Sequence, residues 1–451
     1  MNPDVRPLDL NALRIRPLAE RRSLTRADDV LIDPAAPPPA PPAAAAPLVR
    51  ECADRIRAAR ERGAGVMLIY GAHLLRNGAA RILDRMMERG WITHLATNGA
   101  GTIHDWEYAW LGASTESVAE NVATGTFGAW DETSTAIHLA LMTGALDGLG
   151  YGRSLGRFIC EDGAGVPDAA HLKRLLRTDP EHPLAAARAD LLRALREGHA
   201  IPRRVTLDHR WKHASIAAAA WTRGVPLTVH PGIGYDILAC NPAFNGAVLG
   251  RAAEWDFKLF AGSVDTLDDG VVMSIGSAIM GPQVFEKAAS CVNNLRLQNG
   301  RRILHGHTIF VVDLQDGGGW DWSRGEPPKT NPAYYLRFWR SSATSASTAT
   351  WRSTRRAPRP RSRPGCPCTT SPPSARSPAR RAPCSPTCPH SALARSCRSD
   401  SAARTAKDSN CGRRWRPCRA CTWTTSPPPR SAAPSPIASR WCWNPAGRSA
   451  S

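Results

Sequence analysis

Valine, phenylalanine, tyrosine and glutamate are all missing from residues 341–451, where Leu393 and Ile437 are the only large aliphatic residues. A segment so poor in apolar side chains cannot offset the entropy of ordering its backbone, which excludes a packed core there. Acid is scarce in it as well. Asp400 and Asp408 face 19 arginines and Lys407, so this segment carries +18 of the chain's net +19. It nevertheless holds five tryptophans and nine cysteines, which disordered arms avoid. That mixture is what a GC-rich gene yields when translated out of frame. Residues 341–451 therefore read as a disordered Arg/Pro/Ser/Cys-rich frameshift tail, with a genuine basic arm as the alternative.

Other absences bound the remaining 340 residues. Their 38 basic and 37 acidic side chains nearly cancel, which removes the basic-protein argument for a nucleic-acid partner. Nucleic-acid binding survives only as an alternative carried by a genuine tail. Cysteine is sparse (Cys52, Cys160, Cys240 and Cys291) and unpaired in spacing, as expected of a protein kept in a reducing cytoplasm. No apolar run approaches the ~20 residues of a membrane span, and no apolar h-region follows Met1. Cys366/Cys368 and Cys418/Cys421 mimic ligand pairs but lie in the suspect tail. His209 and His213 stand four apart without a third ligand, and HExxH is absent, so no metal is expected.

What is present divides into three parts before the tail. Residues 1–33 form a polar arm with a weak apolar pattern at Leu8, Leu10, Leu13, Ile15 and Leu18. Residues 34–48 are a Pro/Ala run that reads as a semi-rigid polyproline linker. Residues 49–340 alternate short apolar runs with amphipathic segments. Strands are predicted at 66–70, 92–97, 226–230, 271–275 and 307–314. Helices are predicted at 49–63, 76–90, within 114–147, and at 185–198, 213–223, 243–261 and 282–296. This alternation predicts an α/β domain: a Rossmann-like parallel sheet with helices on both faces.

Glycine turns recur after the predicted strands: Gly71-Ala72-His73, Thr97-Asn98-Gly99-Ala100-Gly101, His230-Pro231-Gly232-Ile233-Gly234 and Gly276-Ser277. In a parallel sheet these turns share one edge, where backbone amides and helix N-termini receive ligands. None matches GxGxxG. Acids follow them: Asp105 and Glu107, Asp236, then Asp313, Asp316 and Asp321. Such carboxylates suit a ribose hydroxyl or a cationic amine, or simply cap helices.

The stretch GVMLIYGAHLLRNGAARILDRMMERGWITHLATNGAGTIHDWE, with PLTVHPGIGYDIL, VVMSIGSAIM and HTIFVVDLQDGGGWDWSRGEPPKTNPAYYLRFWR, resembles the deoxyhypusine synthase family over roughly residues 49–340. The resemblance implies a deoxyhypusine synthase-like NAD-binding fold and a cytoplasmic homotetramer with sites at subunit interfaces. It implies an NAD-dependent aminobutyl transferase acting on a polyamine, with a protein lysine as acceptor or, in related bacterial enzymes, a homospermidine-type product. It places NAD near Gly71, His73, Thr97, Asn98, Gly99, Gly101, Asp105, Gly232, Gly276, Ser277 and Asp313. Asp236 and Asp321 would hold the amine, with Phe338 or Trp339 as an aromatic wall. The departures are specific. Arg340 stands where the family has its imine-forming lysine, and a guanidinium stays protonated and cannot serve. Lys329, eleven residues upstream, is the weak substitute. Pro282 aligns near a family histidine, and Ile103 and His104 replace family glutamates. This copy is accordingly expected to be impaired. A non-catalytic nucleotide-binding or assembly module on the same fold is the alternative.

Overall fold

The structure is a computed structural model that describes residues 5–43, 45–196, 201–313, 320, 324, 326–336 and 347–352. Asp316, Asp321, Phe338, Trp339 and Arg340 lie outside the described residues. All of the described residues belong to the first of the chain's two compact units, Met1–Arg361.

Six strands form the main sheet: β1 (Val66–Tyr70), β2 (His94–Thr97), β3 (Leu227–Val229), β4 (Val271–Ile275), β5 (Thr308–Asp313) and β6 (Ser347–Arg352). All pair in parallel, in the order β3-β2-β1-β4-β5-β6. This is the Rossmann order, in which the chain runs outward from β1, then returns to build the other half. β6 falls inside the segment expected to lack fold, and its six residues pair with β5 from Ser347 opposite Thr308 to Arg352 opposite Asp313.

Strand alternation sorts the apolar residues onto two faces. Val66, Leu68, Tyr70, Leu95, Leu227, Val229, Val271 and Met273 join one core. It is covered by helices α1 (Ala46–Glu61), α2 (Ala80–Glu88), α3 (Gly99–Leu111), α4 (Asp131–Ala145), α5 (Tyr151–Cys160) and α6 (Ile216–Arg223). Met67, Ile69, Ala96, Val272, Ile309 and Val311 join the other, under α7 (Gly246–Val264) and α8 (Met280–Gln298). The five residues of β1 are all buried, as expected of a strand covered on both faces.

Several boundaries differ from the sequence expectation for physical reasons. The helix expected over 76–90 is the shorter α2, and a separate short helix, Ala72–Arg76, precedes it where a turn was expected. Gly78 at φ +83° separates them, and a Cβ there would lie 1.7 Å from the Val30 carbonyl oxygen of the N-terminal arm. Residues 148–184 carried no expected element, yet α5 and a helix at Ala169–Thr178 lie there. Gly152 and Gly156 weaken the helical signal of α5. They are needed for close approach, since a Cβ would come within 2.0 Å of the Leu227 carbonyl oxygen at 152 and 2.4 Å of the Ala217 one at 156. The expected linker ends early, because Pro47 sits in the first turn of α1, where a missing N–H costs nothing.

The N-terminal arm is integral to the domain. Leu18 is fully buried, and Thr25–Arg26 pairs antiparallel with Ala113–Ser114. Arg21 reaches Glu107 with two parallel hydrogen bonds of 2.7 and 2.8 Å, both side chains buried. Glu107, read from sequence as an acid of the sheet edge, is therefore an internal ion-pair partner.

Candidate functional site

The sheet reverses its direction of growth between β1 and β4, and the two turns that follow these strands meet. Gly71 donates its amide to the Ile275 carbonyl (3.0 Å), and Gly276 donates to Val312 (2.9 Å). A Cβ built on Gly71 would lie 2.1 Å from the Gly276 carbonyl oxygen, so only glycine permits this backbone contact. Gly276 itself has φ +63° and open space where its Cβ would point. The switch point is thus a tightly closed floor with an open side above Gly276, at the position where doubly wound sheets hold ligands. Gly71→Ala is expected to lower stability by about 1–3 kcal/mol, because rigid backbone rather than a flexible side chain opposes the new methyl. Urea denaturation of the variant checks this.

The second turn packs against itself. Thr97 donates its hydroxyl to the Tyr70 carbonyl (3.0 Å), and the Asn98 side chain caps α3 by accepting from the Gly101 amide (3.0 Å). Gly101 must lack a Cβ because Thr97 Oγ1 would lie 2.2 Å from it. The third turn reaches across to the same helix start. Asp236 accepts from the Gly232 amide at 2.8 Å and from the Ala100 amide, and its carboxylate sits where a Gly99 side chain would otherwise be. Burial pushes this carboxyl up to about 6, and the two amides hold it from rising further. The anion-receiving end of α3 is therefore filled by the protein's own carboxylate.

Asp105 is also turned inward. Its oxygens accept from Ser215 Oγ (2.5 Å), the Ile216 amide (2.6 Å) and the Ala217 amide (3.2 Å), capping α6. Burial raises its carboxyl to about 6 against these three bonds. The structure thus gives Asp105 a capping contact in place of the expected cofactor contact. Ser277 Oγ accepts from the Gly281 amide, in the first turn of α8, at 3.1 Å. His73 and Gly276 are exposed on this edge, Gly232 is half-buried, and Asp313 ends β5 half-buried. Lys329 is exposed in the turn ahead of the 3-10 segment Pro332–Leu336. His209 is buried against Trp106 and Phe158, with Nδ1 3.4 Å from Asp162, and no metal-ligating cluster occurs among the described residues.

Two groups that the sequence reading passed over, Asp256 and His94, lie buried behind this edge with His230, which it quoted only as the start of a glycine turn. Asp256 of α7 accepts from the Gly152 amide (3.0 Å) and the Val229 amide (2.7 Å), tying α5 and the edge strand β3 to α7. Burial raises its carboxyl to about 7. His94 and His230 lie under α7 on the same sheet face, flanking Phe260 with ring centroids 5.4 and 5.1 Å away. The available signal was polar residues at alternate positions in otherwise apolar strands, His94 before Ala96 and Thr228 before His230.

A cavity of about 780 Å³ is lined by the arm at Leu8 and Leu10, by α4 at His138 and Met142, and by Phe244. None of the expected site residues lines it. No helix among the described residues is long and apolar enough to cross a membrane.

No family model matches the sequence, and no curated protein does. Among solved structures, the chain is similar to the apo form of ArgZ, an arginine dihydrolase from the ornithine–ammonia cycle in cyanobacteria. The identity is 13% over 66% of this chain and 31% of that one, with a TM-score of 0.31. It is similar to a conserved LOR/SDH protein from Methanococcus maripaludis S2, with 12% identity over 74% and 71% of the two chains and a TM-score of 0.32. It is also similar to AgrE in its ternary complex with ornithine and NAD+, with 10% identity over 65% and 32% and a TM-score of 0.31. The chain thus spans about a third of ArgZ and of AgrE. Likenesses of this size fix neither ligand nor activity.

Proposed function

We propose that this chain binds NAD across the β1–β4 switch point, and that it is a divergent amine transferase of the deoxyhypusine synthase type without the imine-forming lysine. The observation that carries the cofactor reading is the Rossmann strand order with two glycine turns in backbone contact at the point of reversal. The transferase reading is supported by the residues that resemble that family. A small amine substrate and a homo-oligomer belong to the same proposal. Arg340 in the lysine position favours a second reading, a nucleotide-binding module without transferase turnover.

Calorimetric titration of NAD into the full chain tests the proposal, with Gly276→Val as the comparison. A valine at φ +63° is strained, and its methyls enter the open space above the switch point. Micromolar binding that weakens at least tenfold in the variant is expected. A folded chain that gives no heat with NAD would remove the cofactor and the enzyme reading together. Given binding, amine-dependent NADH formation by Arg340→Lys but not by the parent chain would support the transferase ancestry. Its absence in both would favour the module.

A further inference from the structure

The polar residues under α7 form one connected chain. Ser263 Oγ lies 2.8 Å from His94 Nδ1, and His94 Nε2 lies 2.9 Å from Thr228 Oγ1. Thr228 Oγ1 is in turn 3.3 Å from His230 Nε2. His94 and Thr228 are fully buried, whereas His230 is 9% exposed and stands at the C-terminal end of β3, where the Gly232–Asp236 loop begins. Phe260 holds both imidazoles edge-on, so neither ring is free to turn without disturbing the core.

A hydroxyl has one proton to donate. Thr228 can satisfy one of the two Nε2 atoms as donor and must accept an N–H from the other. The two imidazoles are therefore locked in opposite senses: whichever ring carries its proton on Nε2, the other carries it on Nδ1. Two neutral arrangements result. In one, His230 offers an Nδ1–H donor, Thr228 donates to His230, His94 donates to Thr228, and Ser263 donates to His94. In the other every bond is reversed, and His230 Nδ1 is a bare acceptor. Ser263 fits either, since its hydroxyl serves as donor or acceptor. Burial keeps both rings neutral at ordinary pH, holding His230 down to about 4 and His94 to about 3. The open end of the chain is His230 Nδ1, which meets no hydrogen-bond partner among the described residues.

We propose that His230 Nδ1 contacts the ligand of this sheet edge, and that Thr228 couples its donor or acceptor sense to His94. The inference rests on the nucleotide reading above and adds a residue and a selectivity to it. An uncharged ring of switchable sense matches a hydroxyl of the bound nucleotide, which also donates and accepts. To a phosphate it offers one neutral N–H at most, where a fixed positive charge or a row of amides serves better. Two histidines in a core where leucine or phenylalanine would fill the space are also accounted for, since the inner ring sets the outer one.

The test is NAD added to the full chain with 15N-labelled histidine, with ring nitrogens followed by long-range proton–nitrogen spectra and binding followed by calorimetry. His230 and His94 are expected to shift together on saturation. In Thr228→Val, which keeps the side-chain shape and the strand preference, only His230 responds. Thr228→Ser restores the joint response. His230→Phe is expected to weaken NAD about tenfold, the value of one hydrogen bond to a well-held group. NAD heat with His230 unmoved overturns the ligand contact, and a His94 tautomer indifferent to Thr228→Val in the ligand-free chain overturns the coupling. A folded chain without NAD heat overturns the cofactor reading and this contact with it.

Discussion

Arg21→Ala is expected to cost the domain about 3–5 kcal/mol, which for a marginally stable fold means unfolding at ordinary temperature. The guanidinium spans Glu107 bidentately, with both side chains almost completely out of water. Glu107 also accepts from Ser114 Oγ at 2.5 Å and Thr133 Oγ1 at 3.0 Å, so its carboxylate is fully committed to the interior. Removing Arg21 leaves that charge buried with two hydroxyls for company, and water cannot reach it without opening α3 from α4. The loss comes mainly from the stranded charge rather than from the pair's own net value, which buried pairs often lack. Two comparisons follow. Arg21→Met combined with Glu107→Leu is expected to recover most of the loss, because no charge then remains inside. Deleting residues 5–33 is expected to match the single variant, since the arm's anchor is lost either way. Urea midpoints for the three proteins decide it. A single variant within about 1 kcal/mol of the parent would show that the carboxylate is relieved in some other way.

The same pair shows where sequence reading succeeds and where it stops. The strands of the sheet were legible because each is a short apolar run between glycines, and VMLIY lies at 66–70 in both sequence expectation and structure. The glycine turns were legible because backbone approach needs glycine whatever surrounds it, and Gly71 against Gly276 shows that need. The partners of buried acids were not legible. Asp105, Glu107 and Asp236 all follow turns in sequence, which suggests an edge open to ligand. Asp105 and Glu107 find their real partners 110 and 86 residues away, at Ser215 and Arg21, and Asp236 reaches the distant Ala100 amide as well as the nearby Gly232 one. Nothing local encodes contacts at such separations, so a cap for a distant helix reads like a binding acid. Helix α5 was missed for the converse reason. Its glycines look like breakers to a propensity argument, while the fold uses them to bring the helix backbone against β3 and α6.

β6 shows the weakness of composition as a guide to short elements. The segment after residue 341 lacks the apolar content for a core of its own, yet Ser347–Arg352 pairs along β5. Its six residues, STATWR, need only backbone donors and a partner strand to pair. The argument from entropy holds for an isolated segment and fails for one lying beside an existing edge.

Asp256 carries the last large effect, which is one of pH. In the unfolded chain its carboxyl titrates near the ordinary 3.8, and in the folded protein burial raises it to about 7. Between these values the native state holds a proton that the unfolded state has lost, so stability falls as pH rises through the window and levels off above it. The contribution is fully present below pH 3.8 and gone above about 7, a loss of roughly 4 kcal/mol at 1.36 kcal/mol per unit. Asp105 and Asp236, both raised to about 6, tilt the parent protein the same way. The parent's own pH profile therefore cannot assign the effect, but its difference from Asp256→Asn can. Asparagine keeps an oxygen for the Gly152 and Val229 amides and stays neutral throughout, like the protonated acid. Relative to the parent, Asp256→Asn is expected to gain roughly 2–3 kcal/mol between pH 5 and pH 8, read as a urea midpoint that separates from the parent's as pH rises. A constant difference across that range would mean that Asp256 stays ionised in the fold. The two amides from α5 and β3 would then outweigh its burial, and the link between the edge strand and α7 would be a charged one.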